Sequence, residues 1–214
     1  GANSGIGYEV SKYLAQHGGT VYMVCRNEQR GRQAKDAIAL ESKGAKVECI
    51  TCDVSVGGEV RKLAAQLRSR VRKVDCVLCN AGALASQREV TQEGHEVTFA
   101  AHLLCGTYLL TTLLQPLLQA SSDPRVVVVS SGGMYTTAYS HDRAVNPDVP
   151  FDGQLAYANA KRGQVLLVER WAQEANSKLK YVSCHPGWTD TPGVESAYGA
   201  SKSWLEPLRT LWQG

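Results

Sequence analysis

Two things are missing from this sequence: an unbroken apolar stretch of about 18 residues that could cross a bilayer, and an excess of charge of one sign. Lysine and arginine number 23 and aspartate and glutamate 20, a formal net charge of +3. The basic residues are dispersed, which argues against a nucleic-acid partner. The missing apolar stretch argues against a membrane-spanning helix within the chain; a targeting or anchor segment ahead of residue 1 would not be visible. Repeats and linkers are absent too, so residues 1–214 are expected to form a single domain with a substantial core.

A first strand is also missing. Residue 1 is glycine, and it already belongs to the glycine-spaced turn Gly1-Ala2-Asn3-Ser4-Gly5-Ile6-Gly7. In dinucleotide-binding folds such a turn links the first strand to the first helix. Glycine lets the backbone turn sharply and approach a pyrophosphate, to which the helix N-terminus presents its N–H groups. The spacing G-x3-G-x-G differs from the commoner G-x-G-x-x-G. The chain is therefore expected to be truncated at its N-terminus. It is expected to be truncated at its C-terminus as well, because no further helix-and-strand unit follows Pro192.

A zinc site is not expected, although Cys49-x2-Cys52 and Cys76-x2-Cys79 have the spacing of paired ligands. Both pairs lie in β-branched, apolar segments that read as buried strands. Positions i and i+3 of a strand face opposite ways, so neither pair can chelate one ion. The seven cysteines are read as small buried thiols of a reducing intracellular compartment.

Strand-like and helix-like segments alternate along the chain. Helices are expected near 6–17, 28–42, 58–71, 92–119 and 154–176, with Pro116 bending or ending the fourth. Strands are expected at 20–25, 46–53, 74–80, 125–130 and 180–185, the fourth carrying consecutive valines as in a strand covered on both faces. A loop rich in Gly, Pro and Asp should lead into the last long helix, and the tail should be partly helical. The fold class is α/β: a doubly wound parallel (Rossmann) sheet in three α/β/α layers, with right-handed crossovers.

Tyr157-Ala158-Asn159-Ala160-Lys161 puts a phenol and an ammonium on one helical face. A free phenol ionises near pH 10, and an adjacent cation favours the phenolate, so Lys161 could make Tyr157 an acid/base for an alcohol or ketone. Ser131, at the end of the valine strand, could hydrogen-bond the substrate oxygen. Tyr8/Lys12 and Tyr198/Lys202 repeat the spacing. Only Tyr157 has a strand-end serine upstream and a helix–strand unit downstream.

Taken in order, Gly1-x3-Gly5-x-Gly7, Cys52-Asp53-Val54, Asn80-Ala81-Gly82, Ser131, Tyr157-x3-Lys161 and Pro186-Gly187-x3-Thr191 resemble the short-chain dehydrogenase/reductase family. The resemblance spans nearly the whole chain. It implies that Asp53, beside Val54, contacts the adenine and that Asn80-Ala81-Gly82 lines the cofactor. It implies that Ser131 orients the substrate carbonyl and Tyr157 is the acid/base. Lys161 would bind the nicotinamide ribose and lower the Tyr157 pKa, and Thr191 would hold the carboxamide in the segment Pro186-Gly187-Trp188. Asp123-Pro124-Arg125-Val126, Glu169-Arg170-Trp171-Ala172-Gln173 and His185-Pro186-Gly187-Trp188 resemble a subgroup near the retinol-dehydrogenase-like members. Relatives often dimerise through their two long helices, which implies a homodimer.

The second strand ends in Cys25-Arg26 rather than in an acidic residue that would grip a ribose 2′-hydroxyl, so Arg26 can pair with a 2′-phosphate. NADP(H) is therefore expected in preference to NAD(H). One departure stands out: where the family carries a helix Asn whose backbone carbonyl holds a relay water, this chain has His102, with one extra residue before Gly106. The expected activity is hydride transfer between NADP(H) and a hydrophobic alcohol or carbonyl compound, slowed by the loss of that Asn; Trp188, Tyr198 and Trp204 are candidate pocket walls. The alternative is a catalytically weak or non-catalytic dinucleotide-binding regulatory protein.

Overall fold

The computed structural model describes residues 1–42, 44–174 and 178–187. The described residues divide into two compact units, residues 1–52 with 186–187, and residues 53–185.

The first unit contains α1 (Gly5–Gln16), β1 (Thr20–Cys25), α2 (Glu28–Glu41) and β2 (Lys46–Thr51). The strands run parallel, in register from Thr20 beside Lys46 to Cys25 beside Thr51. Apolar residues recur on the faces turned inward, so Ala15, Met23, Cys25, Ala34 and Ile38 form one core against which Tyr8, Val21 and Val47 pack. Asn27 opens α2 by accepting the Arg30 N–H at 2.9 Å. Tyr8 and Lys12, the first duplicate of the Tyr-x3-Lys spacing, both lie on α1, where Lys12 pairs with Glu41. The second duplicate, Tyr198/Lys202, lies outside the described residues.

The second unit begins with α3 (Gly57–Arg70) and β3 (Cys76–Cys79). A continuous helix follows, made of α4 (Val97–Phe99), a π-helical segment (Ala100–Leu109) and α5 (Leu110–Gln119). Next come β4 (Arg125–Val129), a 3₁₀ turn (Gly132–Thr136), α6 (His141–Val145), α7 (Gly153–Glu174) and β5 (Lys180–Cys184). The three strands pair in parallel in the order β3-β4-β5. Val126 and Val128 of the central strand are fully buried, as their run of valines requires. α3 starts at Val56, whose side chain cannot cap; Glu93 instead accepts the N–H groups of Gly57 and Gly58 at 2.7 and 2.8 Å. Glu93→Ala is expected to lower the thermal midpoint by a few degrees and Glu93→Gln by less. Calorimetry of the three proteins checks this.

Several expectations are corrected. Among the described residues the strands pair as two parallel sheets, β1-β2 and β3-β4-β5. The long helix begins at Val97 rather than near residue 92, since Thr91–Gly94 forms a turn closed by Gly94 N–H to Thr91 C=O at 2.9 Å. The helix runs through Pro116 to Gln119. The helix Val97–Gln119 has a mean hydropathy of 1.6 and meets the length and composition of a membrane span, with 61% of its apolar window buried in the fold. His102, Gly106 and Thr107 break its apolar run, which hides this character in a residue-by-residue reading. The loop before α7 holds the 3₁₀ turn and α6. Cys76 and Cys184 are exposed and Cys49 is half-buried, whereas Cys25, Cys52, Cys79 and Cys105 are buried. β3 shows why: its faces alternate, which turns Cys76 outward and Cys79 inward.

Candidate active site

In the first unit the glycine turn runs beside the end of β1, with the Gly1 nitrogen donating to the Val24 carbonyl at 2.8 Å. Gly5 takes a positive φ of 55°, which suits glycine. Ser4 precedes α1 in extended backbone without capping it through its side chain, and the first turn holds no acidic residue. The first-turn N–H groups, among them those of Gly5, Ile6 and Gly7, are thus not taken by a side-chain cap. This fits an anionic group such as a pyrophosphate, which needs uncapped N–H donors and the positive end of the helix. Asn3 is half-buried, and Arg26 is exposed immediately after buried Cys25. Gly187 follows Pro186 with φ 74°. Trp188, Thr191, Tyr198 and Trp204 lie outside the described residues.

In the second unit β4 and α7 carry the reactive side chains. Lys161 is buried, and its Nζ donates to the Val129 carbonyl at 2.7 Å, while Ser130 Oγ donates to the Lys161 carbonyl at 3.2 Å. These reciprocal bonds fasten the helix to the strand end. One turn earlier, the Tyr157 ring centroid lies 5.6 Å from Lys161 Nζ. Burial pushes the Lys161 ammonium down to about 7, so it can change charge near neutral pH. Ser131 follows Ser130 and accepts the Gly133 N–H at 3.2 Å, opening the 3₁₀ turn that packs on α7. Asp53 Oδ1 accepts from the backbone N–H and hydroxyl of Ser55 at 2.9 and 2.7 Å. Val54 faces Gly106 on the π-helical segment. Asn80 and Ala81 follow β3, half-buried.

His102 occupies the space above the next residue, Gly82: a Cβ there would overlap the imidazole. His102 Nε2 lies 3.0 Å from the Ala83 nitrogen and 2.9 Å from the Ala83 oxygen. The imidazole meets the Tyr157 ring edge-on, with centroids 5.2 Å apart and planes at 89°. Burial, followed by the Lys161 charge, pushes the imidazolium down to about 3, so His102 is neutral at working pH. The segment Ala100–Leu109 is wound in i→i+5 turns. Within it, the His102 carbonyl accepts from Thr107 Oγ1 at 2.5 Å and from Gln164 Nε2 at 2.8 Å.

The structure thus gathers Tyr157, Lys161, His102 and the Gly82-Ala83 backbone at the β4 end of α7. Two residues given no role in the sequence reading also take part: Thr107 and Gln164. Gln164 was within reach of sequence reasoning, because it follows Tyr157 and Lys161 on the same helical face at i+7 and i+3. Asn159 clasps the loop before α6, accepting the Ser140 N–H at 2.7 Å and donating to the Ser140 carbonyl at 2.9 Å.

Dehydrogenase/reductase SDR family member 12 of Homo sapiens is 40% identical over 215 residues, which cover 100% of this chain and 67% of that protein. The same-named protein of Bos taurus is 40% identical over 194 residues, 91% of this chain and 60% of the relative. The chain therefore spans between three fifths and two thirds of the length of these relatives. Among solved structures, the oxidoreductase yciK from E. coli is 26% identical with a TM-score of 0.76, covering 94% of this chain and 78% of that one. This likeness gives the chain the Rossmann-type α/β fold. The family model described as short chain dehydrogenase matches residues 1–203, and the chain belongs to the short-chain dehydrogenase family of oxidoreductases.

Proposed function

We propose that this chain is the NADP(H)-binding domain of an enzyme that interconverts a hydrophobic alcohol and its carbonyl compound. The observation that carries the reading is the pair on α7: Tyr157 one turn from a buried Lys161 whose Nζ is anchored to the Val129 carbonyl at 2.7 Å. A buried ammonium beside a phenol favours the phenolate, so the Tyr157 hydroxyl can give a proton to a carbonyl oxygen or take one from an alcohol. Ser131 would hold that oxygen. When bound, the nicotinamide supplies the hydride, and the protein contributes orientation and the proton. The turn Gly1–Gly7 would hold the pyrophosphate, Asp53, Val54 and Asn80–Gly82 would line the adenine and nicotinamide halves, and Arg26 would pair with a 2′-phosphate.

A second reading is supported by one observation. The His102 carbonyl stands where the family resemblance implies a water-holding carbonyl, yet it accepts from Thr107 and Gln164. A dinucleotide-binding protein with weak turnover would be built this way. A screen of NADPH oxidation with aldehydes, ketones and quinones separates the two. Turnover with at least one class, and tighter NADPH than NADH in binding titrations, is the expected result; NADPH binding with no turnover across the screen favours the second reading.

A further inference from the structure

Gln164, Thr107 and His102 form a buried chain of contacts that ends on Tyr157. Thr107 is fully buried, and His102 and Gln164 are each 1% exposed. Gln164 Nε2 donates both to the His102 carbonyl and to Thr107 Oγ1, each at 2.8 Å. Thr107 Oγ1 donates in turn to the same carbonyl at 2.5 Å. The other end of His102 is fixed as firmly, with Nε2 at the Ala83 backbone and the ring in the space left by Gly82. Buried polar contacts of this kind are costly to break, because no water replaces the lost partner. A histidine held at both its carbonyl and its ring cannot change rotamer independently. Its edge therefore presents a fixed surface to the Tyr157 ring, at 89° and 5.2 Å.

We propose that Gln164, assisted by Thr107, is a positioning residue that pins the His102 carbonyl and through the imidazole fixes the Tyr157 ring. This inference rests on the reading of Tyr157 as the acid/base. Proton transfer is sensitive to displacements of about an ångström, so a loosened His102 should slow the chemical step rather than weaken cofactor binding. Gln164→Leu removes the donor at similar volume. Gln164→Glu keeps the shape but turns an acceptor toward the carbonyl. Thr107→Val removes the second donor.

The test has two arms. In the first, the chain is labelled with isotopic nitrogen in its histidines, and the His102 tautomer is followed by nuclear magnetic resonance across neutral pH. The unaltered chain should hold one neutral tautomer, and Gln164→Leu and Gln164→Glu should show a mixture. In the second, NADPH-dependent reduction of phenanthrenequinone should lose about tenfold in kcat in the same variants, with KM for NADPH changed less than about twofold. A single tautomer in both Gln164 variants overturns the proposal, whatever happens to turnover; so does an unchanged kcat. If the Gln164 variants do not fold, Thr107→Val decides by the same two readouts. If the unaltered chain does not turn over this quinone, the tautomer arm decides alone. Full activity of Tyr157→Phe would sink the acid/base reading instead, and the tautomer result would still stand.

Discussion

Tyr157→Phe and Lys161→Met are each expected to lower NADPH-dependent carbonyl reduction by at least about 100-fold, the lower end of what a positioned acid/base contributes. The two variants should differ in stability. Phe keeps the ring that meets His102 and loses only a hydroxyl, so its thermal midpoint should stay close to that of the parent. Met removes a cation that the fold buries at a cost. Burial depresses the folded-state pKa of Lys161 from 10.5 to about 7, so between these values the unfolded chain binds the proton and the folded chain does not. Stability should therefore rise with pH across this window, by at most about 1.4 kcal/mol per pH unit from this group, and be flat with respect to it below pH ~7. Buried thiols such as Cys79, pushed up by burial to about 11, titrate nearby. The difference between parent and Lys161→Met isolates the lysine. Denaturant unfolding of both proteins from pH ~6 to pH ~10 measures it. A parent curve that parallels the Met curve would show that Lys161 keeps an ordinary pKa in the fold and stays charged beside Tyr157 across this range.

Gly106→Ala, at the one glycine of the long helix, is expected to be strongly destabilising. A Cβ at this position would overlap the Ala101 carbonyl, a backbone atom that cannot swing away as a side chain can. Overpacking a core against movable side chains costs roughly 1–3 kcal/mol. Against fixed backbone the effect should reach the top of that range or exceed it, shifting the thermal midpoint by roughly 6–12 °C for a chain of this size. The reason lies in the π-helical segment. With an i→i+5 turn from Ala101 to Gly106, the chain accommodates one more residue than an α-helical turn would. Forcing that turn open should also release His102, which begins the next i→i+5 turn with Thr107. Loss of the His102 tautomer signature in partly stable Gly106→Ala would be the accompanying sign. An unchanged midpoint would mean that the segment relaxes to an α-helical turn at little cost.

Much of the fold was legible because its signals are local. The strands at Thr20–Cys25, Lys46–Thr51 and Arg125–Val129 and the helices α2 and α3 lie within a residue or two of their expected bounds. In each, the apolar period, a capping residue or a run of β-branched side chains declares the element. Tyr157 and Lys161 were legible for the same reason, since a spacing of four on a helix puts two side chains on one face wherever that helix sits.

The order of motifs along the chain, the parallel α/β class and the Tyr157–Lys161 pair were determined by the sequence itself. Tertiary structure alone decided what surrounds that pair. Nothing in the apolar pattern marks Ala100–Leu109 as π-helical; that winding depends on Gly106 meeting Ala101 and on Thr107 reaching His102. Whether His102 faced solvent or Tyr157 depended on the missing Cβ of Gly82, 20 residues away along the chain. The bond from Gln164 to the His102 carbonyl spans 62 residues of sequence. No periodicity encodes such a contact: it forms only once packing has removed the water that both groups would otherwise bind.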